Sequence, residues 1–236
     1  MYNNPHMSSQ SVPTHVGFIL DGNRRWAREN GLKTLEGHKK GLENLNEIAK
    51  HSFKRGVTFV SAYVFSIENW KRTEEEVGYL MNLVTKALDD YLDTFHKEGI
   101  KIVIMGRRDG LRAKVIKAIN KAEETTRNNT NGTIGLCFNY GGQEEIADAV
   151  QQIISLKPDT KDVTTDMISS YIYGPEIPPI DLVVRTSGEQ RLSGFMLWRA
   201  SYAELLFTDK HWPAFTTNDL DESLEWYANR ERRFGK

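Results

Sequence analysis

The sequence predicts a single α/β domain built on an open, mostly parallel six-stranded sheet that is flanked by helices. Six short apolar segments alternate with amphipathic helical segments along the 236 residues, as in successive right-handed βαβ units. Several of these segments are apolar on both faces, which is typical of parallel strands covered by helices. No internal repeat or long linker divides the chain, and its length is that of one large domain.

The predicted strands are the short apolar runs at 16–20, 57–65, 100–105, 133–138, 181–184 and 205–207. Segments with helical periodicity lie between them, at 39–54, 74–97, 111–127, 143–156, 166–171 and 219–232, and a further helix starts at the turn after the first strand. The proline-rich stretch 175–179 is predicted as a loop. Residues 1–14 are expected to form a disordered, mainly polar lead, which leaves 15–236 for the folded domain.

The helix predicted at 74–97 carries an unusually wide apolar stripe. Leu80, Val84, Leu88 and Tyr91 share one face, and further apolar residues lie beside them. A helix of this kind ordinarily packs on a sheet. The width of the stripe indicates that part of it faces something else, either a hydrophobic ligand or a partner subunit.

The charge balance argues against a general attraction to nucleic acid, because 31 basic and 32 acidic residues give a formal net charge of −1. Any anion site must therefore come from local clustering of cations. The single cysteine, Cys137, excludes an intramolecular disulfide and a cysteine-based metal site. No signal peptide or apolar run near the ~20 residues of a spanning helix is present, which predicts a cytoplasmic protein that could still contact a membrane surface peripherally.

Polar side chains follow the first predicted strand directly. An acid, a glycine and an asparagine at 21–23 end the apolar run, and Arg24, Arg25 and Trp26 follow. One carboxylate beside two guanidinium groups suits a metal-bound phosphate, with Asp21 on the cation and the arginines on the phosphate oxygens. Two interpretations are open at this point: a phosphate and metal site at a strand end, or a helix cap with solvated arginines.

Three more polar clusters lie near strand ends or helix starts, at 37–41, 65–72 and 185–193, and Glu204 comes shortly after them. Since the carboxyl ends of parallel strands share one edge of a sheet, we expect the clusters that follow strands to converge. Each residue alone has a structural interpretation, such as a surface ion pair for Arg72 or a helix start for His38.

Together the clusters contribute five arginines, at positions 24, 25, 72, 185 and 191. Five guanidinium groups exceed what one monophosphate needs and are suited to two diphosphate groups. The carboxylates of Asp21 and Glu204 are predicted to share a hard cation such as Mg²⁺.

Five motifs, in order along the chain, resemble the cis-prenyltransferase family. They are Asp-Gly-Asn-Arg-Arg-Trp at 21–26, Gly-His-X-X-Gly at 37–41, Phe-Ser-X-Glu-Asn-Trp-X-Arg at 65–72, Arg-Thr-Ser-Gly-Glu-X-Arg-X-Ser at 185–193 and Tyr-Ala-Glu at 202–204. A sixth match, Asn-Arg-Glu-Arg-Arg-Phe, lies at 229–234. The bacterial members of this family are isoprenyl transferases typified by undecaprenyl diphosphate synthase. The ordered motifs span nearly the whole chain, which makes the resemblance specific.

The resemblance implies that isopentenyl diphosphate units are added to an allylic diphosphate primer, farnesyl diphosphate, with each new double bond cis. The product is expected to be an undecaprenyl-type carrier-lipid precursor for cell-wall synthesis, although medium-chain and short-chain members share the same motifs. The resemblance also implies a homodimer. A hydrocarbon product needs an apolar tunnel, for which helix 74–97 and strand residues Val60, Ala62 and Val64 are the predicted walls.

By the same resemblance, Asp21 is the essential acid and Mg²⁺ ligand, Glu204 completes the metal site, and Asn69 takes part in proton removal. The implied primer-binding residues are Gly22, Asn23, Arg24, Arg25 and His38, with Trp26 and Trp70 flanking the substrate. Ser66, Ile67 and Glu68 line the substrate loop, Arg72 contacts a diphosphate, and Arg185, Arg191, Leu192 and Ser193 hold isopentenyl diphosphate.

Two positions depart from the common family motifs. Many bacterial members have glycine where Arg24 stands, and the family usually has arginine where Thr34 stands. Thr34 cannot make a charged contact with a diphosphate, so either the neighbouring Lys33 substitutes for the missing cation or the primer binds more weakly.

Two other functions remain as alternatives. A non-catalytic partner subunit with the same fold would usually lack the aspartate motif and parts of the arginine motif, whereas Asp21, Asn69 and Arg185 are all present here. An unrelated phosphohydrolase would explain Asp21 and Gly22, but it would leave the tryptophan-containing loop and the apolar helix unexplained.

Overall fold

The computed structural model describes residues 12–159 and 162–230, so most of the predicted disordered lead lies outside the described residues. The six strands, β1 to β6, span His15–Ile19, Phe59–Ser66, Ile100–Met105, Gly132–Tyr140, Leu182–Arg185 and Glu204–Phe207. The helices α1 to α7 span Asn23–Glu29, Thr34–Lys54, Glu74–Lys97, Ala113–Thr126, Gly142–Ser155, Thr165–Tyr171 and Thr217–Ala228. Short 3₁₀ turns occupy Ile67–Lys71 and Trp212–Ala214.

The strands form one sheet in the order β3-β4-β2-β1-β5-β6, and every neighbouring pair is parallel. The predicted six-stranded α/β fold is confirmed, and the sheet is parallel throughout rather than mostly so. The crossover from β1 leads to β2 on one side, whereas the crossover from β5 leads to β6 on the other, so the strand order changes direction between β1 and β5. Ligands of open α/β sheets bind beyond the carboxyl ends of the strands at such a switch point.

The helix boundaries that differ most from the prediction are the start of α2 and the end of α7. α2 begins at Thr34 rather than at residue 39, because the Glu36 carboxylate accepts a hydrogen bond from the Lys33 N–H (2.9 Å) and caps an earlier first turn. α7 ends at Ala228, followed by Asn229 as its C-cap. The bounds of α3 agree with the prediction, and the Thr73 hydroxyl caps that helix by accepting from the Glu76 N–H (3.3 Å).

The core has two layers, one on each face of the sheet. One layer contains Phe18 and Trp212, whose rings lie 5.7 Å apart, and Trp212 also stacks on Phe215. The other layer contains Val183 and Phe195. All residues of β1 and β5 are buried, as the apolar character of both faces predicted. Among the described residues, no helix is both long and apolar enough to cross a membrane.

α1 and α2 pack so closely that the contact requires glycine at two positions of α2. A Cβ atom at Gly37 would lie 2.2 Å from the carbonyl oxygen of Asn23, and one at Gly41 would lie 2.1 Å from the Asn23 Oδ1. Positions four apart share one face of a helix, so both glycines contact α1. The glycines on either side of His38 therefore seat α1 against α2 and place Asn23 and His38 at the same end of the sheet.

We expect Gly37→Ala to lower the free energy of unfolding by about 2 kcal/mol or more, even though alanine favours helix by about 1 kcal/mol, because the added methyl group overlaps backbone that cannot easily move. Urea unfolding measures the change. The control is Gly78→Ala in α3, where an added Cβ meets nothing within 4 Å and where stability should be unchanged or slightly raised. Equal effects of the two substitutions would contradict the close packing of α1 on α2.

Candidate active site

Asp21 lies just beyond the carboxyl end of β1 and joins three elements. Its Oδ2 accepts a hydrogen bond from Arg185 Nη2 (2.9 Å), at the end of the neighbouring strand β5. Its Oδ1 accepts from the Gly22 N–H (2.7 Å) and from Arg25 Nη2 (3.2 Å), the latter on α1. The structure thus brings together residues from the first and fourth polar clusters, as the shared edge of a parallel sheet predicts.

The electrostatic surroundings keep Asp21 ionised. Partial burial acts to raise the pKa of this carboxyl, but the hydrogen bond and charge of Arg185, together with the charge of Arg25, hold it below its ordinary value. A carboxylate with a lowered pKa is a poor proton acceptor at neutral pH and a good ligand for cations.

Arg185 organises the loop that follows β5. Its side chain is buried, and its Nη1 donates to the Ser193 hydroxyl (2.8 Å) and to the carbonyl oxygen of Arg191. The Arg191 guanidinium is exposed and pairs with Glu189. Leu192 packs against the core layer on the Val183 face of the sheet. Of this predicted set, Arg185 and Ser193 therefore face Asp21, whereas Arg191 and Leu192 diverge from it.

A second charged cluster links α2, α3 and the loop between β2 and α3. His38 Nε2 lies 2.9 Å from Glu76 Oε1, and Arg72 Nη1 donates to the same oxygen (3.0 Å). Burial lowers the pKa of His38 below its usual value, and the charges of Arg72 and Arg24 lower it further. The hydrogen bond with Glu76 acts in the opposite direction but does not outweigh them. For Glu76 burial acts to raise the pKa, but the hydrogen bond with His38 and the charges of Arg72 and Arg24 lower it.

Sequence reasoning missed Glu76. The available signal was its spacing, since it lies four residues after Arg72 and three after the Thr73 N-cap. In the structure it holds two predicted site residues, His38 and Arg72, in fixed positions.

Two open clefts meet at Asp21. The first, of about 850 Å³, is strongly basic, and its lining residues are Leu20, Asp21, Gly22, Asn23, Arg24, Arg25, Arg28, Leu32, Lys33, Thr34, His38 and Arg72. The second, of about 470 Å³, is lined by Ile19, Leu20, Asp21, Tyr63, Ser66, Glu68, Asn69, Arg72, Arg185 and Ser193. Asp21 and Arg72 border both clefts. The arrangement provides two adjacent anion sites with one carboxylate between them.

The clefts contain residues that the motifs did not indicate. Arg28 lies one helical turn after Arg24 and lines the same cleft, as does Lys33 beside Thr34. Arg28, which was not predicted, and Lys33, which was considered as the substitute for the missing arginine, therefore line the same cleft as Thr34. Tyr63 lines the second cleft, and its hydroxyl donates toward the carbonyl oxygens of Tyr140 (3.3 Å) and Ser193 (3.4 Å).

The loop after β2 is held at both ends. Asn69 Oδ1 accepts from the Ser66 N–H (3.1 Å), which closes the 3₁₀ turn that begins at Ile67. Trp70 is 40% exposed, and its Nε1 donates to Asn139 Oδ1 (2.7 Å). Trp26 is half-buried on α1.

Apolar cavities continue inward from the clefts. A cavity of about 110 Å³ has polar walls at Asn23, His38 and Asn69 and apolar walls at Leu45 and Val84. An enclosed apolar cavity of about 40 Å³ shares Leu45 and Val84 with it, and its walls come from α2, α3 and the sheet. From the clefts inward, the walls of the cavities therefore change from charged to mainly apolar side chains.

The predicted tunnel walls are only partly correct. Val64 and Ala87 line the enclosed apolar cavity, as expected. Val60 and Ala62 are fully buried core residues outside its lining, and β3 and β4 contribute Ile102, Ile134 and Leu136 instead. The reason is that α3 packs toward β3 rather than over the middle of β2.

The model of the undecaprenyl diphosphate synthase family, Prenyltransf, matches residues 19–235 of the chain. The chain belongs to this family. It is 42% identical to an isoprenyl transferase of Thermotoga maritima, over 95% of this chain and 97% of that protein. It is 41% identical to a (2Z,6E)-farnesyl diphosphate-specific trans,polycis-polyprenyl diphosphate synthase of Thermobifida fusca, over 98% of this chain and 83% of that protein.

A solved structure agrees with this assignment. Lavandulyl diphosphate synthase from Lavandula x intermedia, crystallised with dimethylallyl diphosphate, is similar with a TM-score of 0.90 at 30% identity, covering 97% of this chain and 100% of that one. The predicted resemblance to cis-prenyltransferases is confirmed.

The prediction that Glu204 completes a metal site with Asp21 is wrong for two carboxylates of the same chain. Glu204 is the first residue of β6 and is in register with Leu182, which in turn is in register with Val16. At ~3.3 Å per residue, the five residues from Val16 to Asp21 separate the two carboxylates by roughly 15 Å along the sheet. Glu204 instead accepts a hydrogen bond from Arg230 Nε (3.1 Å).

Across residues 12–159 and 162–230, no three acidic, histidine or cysteine side chains cluster closely enough to hold a metal ion. Among the described residues that line the basic cleft, Asp21 is the only one with a carboxylate. A hard cation there would be held by this carboxylate and by oxygens of a bound phosphate, an arrangement that Mg²⁺ commonly adopts in phosphate sites.

We expect Glu76→Gln to lower the free energy of unfolding at neutral pH by about 1–3 kcal/mol, since it weakens a buried charge-assisted contact to two side chains. Because folding lowers the pKa of Glu76, its stabilisation is present above the ordinary value of 4.5 and is lost as the pH falls below it. The stability difference from the unmodified protein should therefore shrink in acid. Urea unfolding from pH 3 to pH 8 measures it.

The control is Glu75→Gln, which neutralises the exposed neighbouring glutamate and should leave stability nearly unchanged at every pH. If the difference in free energy of unfolding between Glu76→Gln and the unmodified protein grew in acid, the assigned role of Glu76 would be refuted.

Proposed function

We propose that this chain is a Mg²⁺-dependent cis-prenyl diphosphate synthase that condenses isopentenyl diphosphate with an allylic diphosphate primer, such as farnesyl diphosphate. The observation that carries the proposal is the pair of clefts that meet at Asp21, with apolar cavities leading inward between α2 and α3. A reaction that joins two diphosphate substrates and lengthens a hydrocarbon needs both features. Membership of the undecaprenyl diphosphate synthase family supports the same reaction.

The basic cleft is the proposed primer site. Arg24 and Arg25 on α1 would bind the diphosphate oxygens, with His38 and Asn23 beside them. Arg28 and Lys33 provide the positive charge that Thr34 lacks. The primer would thus be held by cations of α1 and of the turn before α2.

The second cleft is the proposed isopentenyl diphosphate site. Arg185 and Ser193 line this cleft, and Arg72 lines both this cleft and the proposed primer site. Arg191 would reach this diphosphate only by leaving Glu189, so its role is weaker than that of Arg185. Ser66 and Glu68 form the loop side of the same cleft, next to Ile67.

Asp21 is the proposed Mg²⁺ ligand, together with substrate phosphate oxygens. Bound Mg²⁺ would stabilise the negative charge on the departing diphosphate. Arg185 and Arg25 already hold the carboxylate in place from two sides. Its lowered pKa favours cation binding over proton removal.

Asn69 is proposed to assist proton removal indirectly, by orienting the isopentenyl substrate. An amide is not a base near neutral pH, and Asn69 Oδ1 already accepts from the Ser66 N–H. Its amide NH₂ group is the part that this bond does not use. Trp70 and Trp26 are proposed to flank the substrate.

A non-catalytic partner subunit is disfavoured because Asp21, Arg185 and Asn69 are all present and together line the second cleft. A homodimer is part of the proposal. β6 is an edge strand, Leu205 on it is 39% exposed and the nearby Tyr202 is 77% exposed, which leaves an apolar edge suited to a second copy. We also propose that the enzyme contacts a membrane peripherally when it releases its product.

Incubation with farnesyl diphosphate, radiolabelled isopentenyl diphosphate and Mg²⁺ should give an extractable prenyl product. Asp21→Asn should lower kcat/KM on the order of 10²–10³-fold, because it removes the charge that binds the cation. Asp89→Asn on the exposed face of α3 is the control and should retain full activity. Release of phosphate without an extractable prenyl product would indicate a hydrolase and refute the proposal.

Product length is expected to depend on the enclosed apolar cavity, whose volume of about 40 Å³ is little more than that of one water molecule. A growing chain must therefore separate α2 from α3 as it enters. Ala87→Leu should make this harder and shorten the products, as measured by chain-length analysis on thin-layer plates. Ala113→Leu, on the exposed first turn of α4, should leave the length distribution unchanged. Identical distributions for the two variants would place the tunnel elsewhere.

A further inference from the structure

Three side chains form a hydrogen-bonded chain behind the Asp21–Gly22 turn. Ser187 Oγ lies 2.6 Å from His211 Nδ1, and His211 Nε2 lies 3.1 Å from Glu29 Oε1. Ser187 is in the loop after β5, His211 comes after β6, and Glu29 is the last residue of α1. Ser187 belongs to the motif at 185–193, but His211 and Glu29 lie outside the motifs, and none of the three residues lines either cleft.

The chain of hydrogen bonds has a defined direction. An ionised carboxylate only accepts hydrogen bonds, so His211 Nε2 carries the proton and donates it to Glu29. In the neutral imidazole Nδ1 is then an acceptor, and the Ser187 hydroxyl donates to it. The histidine thus connects α1 to the loop after β5 through one donor and one acceptor.

A serine, a histidine and an acid in this order also occur in hydrolases, but Ser187 is placed for a different role. It is only 5% exposed, and a Cβ at Gly22 would lie 2.6 Å from both its Oγ and His211 Nδ1. The hydroxyl therefore faces the back of the Gly22 turn rather than a cleft. Gly22 has a φ of +99°, and the two side chains fill the space beside its missing Cβ.

Ser187 also holds Arg25. Its carbonyl oxygen accepts from Arg25 Nη1 (3.1 Å), and its N–H donates to the carbonyl oxygen of Lys210 (2.8 Å). Ser187 has a φ of +78°, a left-handed conformation that costs a residue other than glycine roughly 1 kcal/mol or more and needs support from its surroundings. The hydrogen bond to His211 supplies that support.

We propose that His211 is a positioning residue for diphosphate binding: it holds Ser187, and through Ser187 it fixes Arg25 and the Gly22 turn. The proposal rests on the proposed function in that it takes this turn to be part of the primer site. It assigns His211 a role in binding the allylic diphosphate and none in chemistry on the isopentenyl unit.

The test is His211→Leu in the full chain, which removes both hydrogen bonds and keeps an apolar side chain of moderate size. Titration calorimetry with inorganic diphosphate and Mg²⁺ should show a Kd raised roughly tenfold, the effect expected when one hydrogen-bonded contact is lost. The KM for the allylic diphosphate should rise to a similar extent, while the KM for isopentenyl diphosphate should change less than twofold. A general loss of structure would not produce this split.

Three further variants make the test specific. His211→Asn keeps a polar atom near the Nδ1 position and should recover most of the affinity. Ser187→Ala should weaken diphosphate binding as His211→Leu does, and the double variant should be no worse than either one. His51→Leu removes a histidine that also pairs with a carboxylate, Asp221 (2.9 Å), at the far end of α2, and should leave binding unchanged.

The proposal is overturned if His211→Leu binds inorganic diphosphate within twofold of the unmodified protein, or if the effects of Ser187→Ala and His211→Leu multiply. Failure of the proposed function would appear differently. In that case the unmodified protein would form no prenyl product, whereas the calorimetric comparison of the variants would still decide the role of His211.

Discussion

The ion pair between Asp21 and Arg185 is the interaction on which the site depends. It joins the carboxyl ends of β1 and β5, the two strands between which the order of the sheet changes direction. Arg185 is buried and would be costly to leave without an anionic partner, and Asp21 would lose the charge that keeps it ionised. Asp21 also borders both clefts, and Arg185 lines the second. A carboxylate held by buried arginine at this point can therefore serve two diphosphates while the strands beneath it stay fixed.

The second charged cluster links the polar and apolar halves of the molecule. Glu76, in the first turn of α3, binds His38 on α2 and Arg72 in the loop before α3, so the two helices are held together at the end nearest the clefts. Between this cluster and the ion pair of Lys50 with Glu98 (3.3 Å) at the other end, the same helices line a small apolar cavity. Repacking apolar side chains costs less free energy than separating a buried, hydrogen-bonded ion pair. The helices are thus fixed where diphosphates would bind and adaptable where a hydrocarbon would extend.

The fold and the centre of the site could largely be predicted from the sequence. Strand and helix periods identified all six strands, and α3 to the residue, because parallel sheets covered by helices leave long apolar runs. Motifs at strand ends identified Asp21, Arg72 and Arg185. Glu204 was misplaced because it was paired with Asp21 by resemblance, although the strand predicted at 205–207 already put it at the amino end of β6, opposite Leu182, and Asp21 follows the carboxyl end of β1. Glu76 and His211 were missed because their partners lie 38 and 24 residues away, in other elements.

These misses have a common physical origin. Motif residues such as Asp21 and Arg72 line the clefts and are recognisable by their chemistry, whereas Glu76 and His211 lie outside the linings of both clefts and hold other side chains. Arg25, Arg72 and His38 carry long or rotatable side chains, and holding them in one geometry costs conformational entropy unless neighbours restrict them beforehand. Glu76 restricts two of them, and Ser187 restricts the third through its carbonyl oxygen. The cations that line the clefts are thus held by acceptors behind them, and these acceptors come from whichever elements the fold brings close.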